Sequence, residues 1–129
     1  MTEITLIRQE EEIVEFYGWN HSEYGEHGSD ILCAAISMIL QQGAAGIIEY
    51  LNIPATYSTN NETGFLRLDL KNPDEEKLKK MDMTIHSYNQ IVFKNKREIN
   101  AILGSMVVML DQLKEQYPKY MKIFEEEAN

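Results

Sequence analysis

Residues 31–48 decide the fold, and they read ILCAAISMILQQGAAGII, an 18-residue stretch without a charged side chain. Several of its apolar positions recur at intervals of three and four, which is the spacing of one face of an α-helix. Those positions are Ile31, Ala34, Ala35, Met38 and Ile39. Because Ser29 or Asp30 can serve as the N-cap, we expect a helix that begins there and runs to about Leu51.

The same stretch has the length of a membrane span, but polar and glycine residues interrupt it. These residues are Ser37, Gln41, Gln42, Gly43 and Gly46. A buried helix therefore fits the stretch better than a membrane-spanning one. Residues 1–5 also lack the basic start and apolar run of a secretory signal, so we expect a soluble, cytoplasmic protein.

Short runs of β-branched and aromatic residues flank this helix on both sides. Residues 4–8 and 13–18 predict two strands before it, although the link at 9–12 has no Gly or Asn to form a tight hairpin turn. Residues 55–59 and 64–70 alternate in polarity and predict a hairpin after it.

Helical patterns dominate the following part of the chain. Asn72 is a suitable N-cap, with Pro73 as the first helical residue and Glu75 in the position of a capping-box carboxylate. Near-heptad apolar spacing then continues over residues 78–113, and a single helix to residue 116 would be about 66 Å long. Since a domain of this length has a radius of gyration of about 14 Å, we expect a break near residues 89–95. A projecting helical arm is the alternative.

A last strand is expected at residues 120–124, after Pro118. The complete order is β-β-α-β-β-α(α)-β, an α+β fold of two layers in which helices pack on an antiparallel sheet. With 129 residues, 43% hydrophobic and 26% charged, residues 1–129 are expected to form one domain.

The net charge of −9 lies entirely in the first half of the chain. Residues 1–64 hold ten acidic side chains and one basic side chain, Arg8, whereas residues 65–129 hold eleven of each. Nucleic acid is therefore not expected as a direct partner, because phosphate binding needs clustered Lys and Arg. An acidic surface suits a basic peptide or protein, although solubility alone also explains it.

The only cysteine, Cys33, falls in the first turn of the predicted helix. If Asp30 is the cap, Cys33 is the third helical residue, where the positive end of the helix dipole favours a thiolate. His21 ends the predicted second strand, before a loop that contains Gly25 and Gly28 and can bring its two ends together. These residues predict a Cys–His dyad, in which the imidazole takes the thiol proton and the sulfur acts as nucleophile.

A structural explanation of the same residues stays open at this point. A lone cysteine on an apolar helix is more often a small buried hydrophobe, and Ser37, one turn later, can simply bond to the backbone behind it. A single cysteine excludes an intramolecular disulfide. The spacing of His21 and His27 matches no metal-site pattern, so we expect no metal and no cofactor.

The run from His21 to Ser37 resembles the signature of the bacterial ribosomal-processing cysteine proteases (Prp). That signature has a His after a strand, a glycine-bearing loop, Gly-x-Asp-Ile-Val-Cys-Ala, and a Ser four residues after the Cys. Residues 28–34 of this chain read GSDILCA, and the spacing of twelve between His21 and Cys33 agrees with the family. The resemblance continues through residues 113–120 and leaves out about 71–94, where the chain carries extra residues.

The resemblance implies a small α+β homodimer without a metal or cofactor, in which Cys33 is the nucleophile and His21 the general base. The supporting or substrate-binding positions would be Asp30, Ser37, Gly25 and Gly28. The implied substrate is the precursor of large-subunit ribosomal protein twenty-seven, a basic protein that loses a short N-terminal extension after an aromatic residue during ribosome assembly. The alternative is a non-catalytic dimeric module that holds a basic ribosomal or other protein through its acidic half.

Overall fold

Five strands and four α-helices make up the part of the chain that the computed structural model describes, which is residues 1–20 and 27–129, without the side chains of Asn20 and residues 27–30. The elements are β1 (Thr2–Gln9), β2 (Glu12–Asn20), α1 (His27–Ala45), a π-helical turn (Gly46–Tyr50), β3 (Ala55–Asn60), β4 (Phe65–Pro73), α2 (Glu75–Lys80), α3 (Ile85–Lys94), α4 (Lys96–Gln116) and β5 (Met121–Glu127). The predicted α+β class is confirmed.

The strands form one sheet in the order β3-β4-β2-β1-β5. Both predicted hairpins are antiparallel, and so is the β2–β4 pair. The last strand differs from the expectation of an antiparallel sheet, because β5 runs parallel to β1, from Met121 beside Thr2 to Glu127 beside Arg8. The helical segment α2–α4 returns the chain to the end of the sheet where β4 began, so β5 follows the direction of β4 and β1.

Helix α1 is a core helix, as the sequence predicted, but the buried face is not the predicted one. Its buried side chains are Leu32, Ile36, Leu40 and Ala44, followed by Ile47 of the π-helical turn, whereas Ile31 is 67% and Met38 65% exposed. By length and composition alone, Ile31–Tyr50 would also pass as a membrane span. Packing of one complete face on the sheet is the arrangement of a core helix. A Cβ on Gly18 of β2 would lie 2.8 Å from Leu40 Cδ1, so the helix sits close to the strands.

The start of α2 was predicted wrongly. Asn72 and Pro73 still belong to β4, and the N-cap is Asp74, whose carboxylate accepts hydrogen bonds from the backbone N–H groups of Glu76 and Lys77. A β-bulge between Asp69 and Pro73 lets β4 continue to Pro73, which pairs with Ala55 of β3. The Asp69 carboxylate stabilises the bulge, because it accepts hydrogen bonds from the backbone N–H and the side-chain amide of Asn72.

The expected break in the long helical stretch is confirmed at Asn95. Helix α3 ends at Lys94, and the side-chain amide of Asn95 donates a hydrogen bond to the carbonyl of Ile91 in that helix. Asn95 is also the N-cap residue of α4. Both helices pack into the core, through Tyr88 and Ile99. The alternative of a projecting helical arm is therefore wrong.

The β1–β2 hairpin closes through two glutamates in left-handed backbone conformation. Glu10 and Glu11 have φ values of 52° and 73°, and Gln9 pairs with Glu12 across them. A turn with two positive φ values favours Asn-Gly, because other side chains there cost about 1–2 kcal/mol each. The absence of these residues weakened the hairpin prediction without preventing the turn.

Replacement of the turn by Asn-Gly is expected to stabilise the protein. The double variant Glu10→Asn/Glu11→Gly should raise the free energy of unfolding by about 1–2 kcal/mol, since Gly removes the left-handed strain at position 11 and Asn tolerates that conformation better than Glu at position 10. Urea unfolding followed by circular dichroism measures the change. Equal or lower stability of the variant would contradict the role given to backbone strain.

Candidate active site

The sulfur of Cys33 lies at the junction of α1 and the sheet. The side chain is partly exposed, and Sγ lies 3.5 Å from Oγ1 of Thr2, the first residue of β1. Thr2 itself is 2% exposed. The nucleophile proposed from the sequence is thus held against a buried hydroxyl at one end of the central strands.

The same residue of β1 connects Cys33 to the strand that precedes His21. Thr2 pairs with Asn20, the last residue of β2, and paired Cα atoms of antiparallel strands lie about 4.5–5.5 Å apart. His21 follows Asn20 directly and lies outside the described residues, as does Gly25. The described residues therefore bring Cys33 to the end of β2 that directly precedes His21 in the sequence.

Helix α1 begins earlier than the sequence suggested, at His27 instead of after a cap at Ser29 or Asp30. Cys33 is then the seventh helical residue, and a rise of 1.5 Å per residue puts it about 9 Å from the helix start. The dipole acts mainly within the first turn, and the free N–H groups of a helix lie there too. The expectation that the helix N-terminus activates Cys33 is therefore not met.

Of the supporting positions, Ser37 is described in full. It lies one turn after Cys33 on the same flank of α1 and is partly buried. Gly28 and Asp30 belong to the first turn of α1, and the side chain of Asp30 lies outside the described residues. Ser37 thus lies one helical turn from Cys33, and the roles of Ser37, Gly25, Gly28 and Asp30 stay predictions.

Thr2 is the neighbour of Cys33 that the sequence did not reveal. The residues of β1 that face the helices are Thr2, Ile4 and Leu6, and all three are buried. In the sequence, the one signal for Thr2 is that a hydroxyl-bearing residue begins the alternating row that continues with the apolar residues Ile4 and Leu6.

In the residues that the structure describes, no group of three or more His, Cys, Asp or Glu side chains could hold a metal ion. His86 lies exposed on α3, a helix that packs against β4. The absence of a metal or cofactor stays a prediction.

The sequence profile described as "Cysteine protease Prp" matches residues 1–122 of the chain. The chain belongs to the Prp family of cysteine proteases. The resemblance that began at His21 and Cys33 is confirmed by a match over nearly the whole sequence. No curated protein matches the chain.

Solved structures of similar fold align with almost the whole chain. SMU.848 from Streptococcus mutans has a TM-score of 0.74 and 16% identity, with 99% of this chain and 96% of that chain covered. An essential ribosomal processing protease Prp from S. aureus, in complex with a substrate peptide, has a TM-score of 0.71 and 18% identity, with 98% and 100% covered. The same S. aureus protease with a covalently linked product peptide has a TM-score of 0.69 and 19% identity, again with 98% and 100% covered. At these identities the likeness establishes the fold.

Proposed function

We propose that this Prp-family protein is a cytoplasmic cysteine endopeptidase that removes a short N-terminal extension from the precursor of large-subunit ribosomal protein twenty-seven. Family membership supports the reaction class, and the S. aureus relatives bound to a substrate peptide and to a covalently linked product peptide support the substrate class. The observation that carries the proposal is the contact of Cys33 with Thr2, the residue paired with the strand end before His21.

The proposed reaction follows the two steps of a cysteine peptidase. His21 takes the thiol proton of Cys33, and the sulfur attacks the scissile carbonyl carbon to form a tetrahedral intermediate. The C–N bond then breaks, and the proton passes from His21 to the leaving amine, which leaves a thioester on Cys33. A water molecule, deprotonated by His21, attacks the thioester, releases the N-terminal piece as a carboxylic acid and restores the thiol.

A homodimer is part of the proposal, and the outer face of the helical layer suits it. Large apolar side chains on α1, the π-helical turn and α4 are exposed there. They are Ile31, Met38, Tyr50, Val108 and Met109. Residues 31–48 bring no charged side chain to this face, so two copies with a net charge of −9 could meet there without opposing like charges.

The proposed activity is tested by intact-mass analysis of the precursor ribosomal protein from the same organism. The protein should remove one defined N-terminal piece, with the new end after an aromatic residue. Pretreatment with iodoacetamide should stop the reaction, because Cys33 is the only cysteine in the chain. An unchanged precursor that carries an extension, after incubation with the untreated protein, would contradict the proposal.

A second candidate function is favoured by two acidic runs that the fold brings together. Glu10 and Glu11 form the β1–β2 turn, Glu12 begins β2, and β5 ends in Glu125, Glu126 and Glu127. Because Arg8 pairs with Glu127 and Gln9 with Glu12, the two runs are neighbours. Arg8 bridges Glu125 at 2.9 Å and Lys96 bridges Glu12 at 2.8 Å, which leaves a net negative surface.

Such a surface suits a non-catalytic module that holds a basic protein through charge. The acidic runs lie near Gln9, about 23 Å along β1 from Thr2 and Cys33. A binding module needs no thiol, so Cys33→Ser should leave partner binding and cell growth unchanged. A growth defect from this substitution alone would contradict the binding-only function and favour the peptidase.

A further inference from the structure

Thr2 carries a hydroxyl that packing does not require. It is buried on the helix-facing side of β1, beside Ile4 and Leu6, where a valine would have nearly the same shape. A buried hydroxyl costs free energy unless it is hydrogen-bonded. Sγ of Cys33 lies within hydrogen-bond distance of Oγ1, at 3.5 Å, and either atom can act as the donor.

The backbone holds this hydroxyl in a fixed place. Thr2 lies in an interior strand, paired with Asn20 of β2 on one side and with Met121 of β5 on the other. Its N–H donates to the carbonyl of Tyr120 at 2.9 Å. A β-branched side chain on such a strand has few rotamers, so the position of Oγ1 is largely set by the sheet.

A hydroxyl in this position distinguishes between the two forms of Cys33. A thiolate accepts a hydrogen bond from O–H strongly, because charge-assisted bonds are about twice as strong as neutral ones. A neutral thiol is only a weak acceptor and a weak donor. A fixed donor therefore stabilises the thiolate more than the thiol, and with Cys33 the seventh residue of α1 the helix dipole does not replace this contribution.

We propose that Thr2 is a positioning residue of the active site, whose hydroxyl donates a hydrogen bond to the Cys33 thiolate and holds the sulfur facing the end of β2. The thiolate is stabilised before substrate binds, and the hydrogen bond weakens as the sulfur bonds to the carbonyl carbon and the negative charge passes to the carbonyl oxygen. The catalytic part of this role rests on the proposed peptidase function. The effect on the thiolate does not, since it needs no substrate.

The chain offers a matched control on the same strand. Thr5 is also buried, at 8% exposure, but it pairs with Tyr17 and, an odd number of residues from Thr2, faces the opposite side of the sheet. Thr2→Val and Thr5→Val therefore each remove one buried hydroxyl from β1. Of these two hydroxyls, only that of Thr2 faces Cys33. Thr2→Ser keeps the hydroxyl and loses the methyl group.

The test is the rate of Cys33 alkylation by iodoacetamide between pH 5.5 and 9.5, measured by intact mass. For Thr2→Val we expect about a tenfold slower rate at pH 6.5 and a midpoint of the pH profile about one unit higher than in the wild type, with rates that converge at high pH. Thr2→Ser and Thr5→Val should retain the wild-type profile. A Thr2→Val profile that coincides with that of the wild type, or an equal change in Thr5→Val, would overturn the proposal.

Two further comparisons keep the proposal testable. If Thr2→Val does not fold, as judged by thermal melting, the pair Thr2→Ser and Thr2→Ala isolates the hydroxyl, and equal profiles for these two would also overturn the role. Failure of the proposed function would look different. The shift in the alkylation profile would then be present while the precursor remains uncut, which upholds the role of Thr2 and rejects the substrate.

Discussion

Cys33→Ala is expected to reduce processing of the precursor to background, a loss of about 10⁶-fold, because no other side chain in the chain supplies a sulfur nucleophile. His21→Ala should cost about 10²–10⁴-fold, the usual contribution of a general base. Residues that act as one unit are not additive, so the double variant should be no slower than Cys33→Ala alone. Initial rates from chromatography of the cleaved precursor measure all three.

His86→Ala is the matched control for the histidine. His86 lies exposed on α3, and the proposed reaction gives it no role, so its replacement should leave the processing rate within about twofold of wild type. A His21→Ala variant that retains wild-type activity would remove His21 from the mechanism. Equal losses in His21→Ala and His86→Ala would point to a folding effect instead of a base.

Tyr88→Ala is expected to have the largest effect on stability, about 3–5 kcal/mol. The side chain is fully buried, and its hydroxyl donates to the carbonyl of Leu70 at 2.6 Å. This contact fastens α3 to β4, so the substitution leaves a cavity and removes a buried hydrogen bond together. Since the free energy of unfolding of a small domain is only about 5–15 kcal/mol, this loss should greatly increase the unfolded fraction.

Tyr88 also predicts how stability depends on pH. Burial, and then the negative charge of Asp69, raise the pKa of Tyr88 well above its usual value of 10.0. Above pH 10 the unfolded chain therefore loses the phenol proton while the folded protein keeps it, and stability falls as pH rises, by at most about 1.4 kcal/mol per unit from this group. The effect is absent below the unfolded pKa.

Tyr88→Phe separates the two contributions. It keeps the ring, so the expected loss near pH 8 is only about 1–3 kcal/mol, from the hydrogen bond to Leu70. Between pH 10 and 11 its stability should fall less steeply than that of the wild type. Urea unfolding at pH 8, 10 and 11 measures both, and parallel slopes for the two proteins would show that Tyr88 does not titrate as described.

Local signals in the sequence predicted most of the elements. The strand runs before and after α1 and the break at Asn95 depend on propensity and capping within a few residues, and these predictions were confirmed. The cap of α2 was missed because Asn72 and Asp74 are both good caps, and only the pairing of β4 chooses between them. The buried face of α1 was missed because residues 31–48 are apolar nearly all round, so periodicity could not identify one face.

The remaining errors concern residues far apart in the sequence. The parallel pairing of β5 with β1 depends on the path of three intervening helices, which no local pattern encodes. The candidate site also depends on contacts between residues far apart in the sequence. Cys33 could be proposed as the nucleophile from its own motif, but Thr2 lies against Cys33 only because β1 is placed between β2 and β5, beneath α1.

The place of β1 between the second and the last strand has a consequence for biosynthesis. A chain emerging from the ribosome can form the β1–β2 hairpin early, but Thr2 lacks its neighbours Tyr120 and Met121 until residues 121–127 have been translated. Until then β1 is an open edge, and the hydroxyl that faces Cys33 is held from one side only. Thr2 therefore gains its second neighbouring strand only after residues 120–127 have been translated, about ninety residues after Cys33 itself.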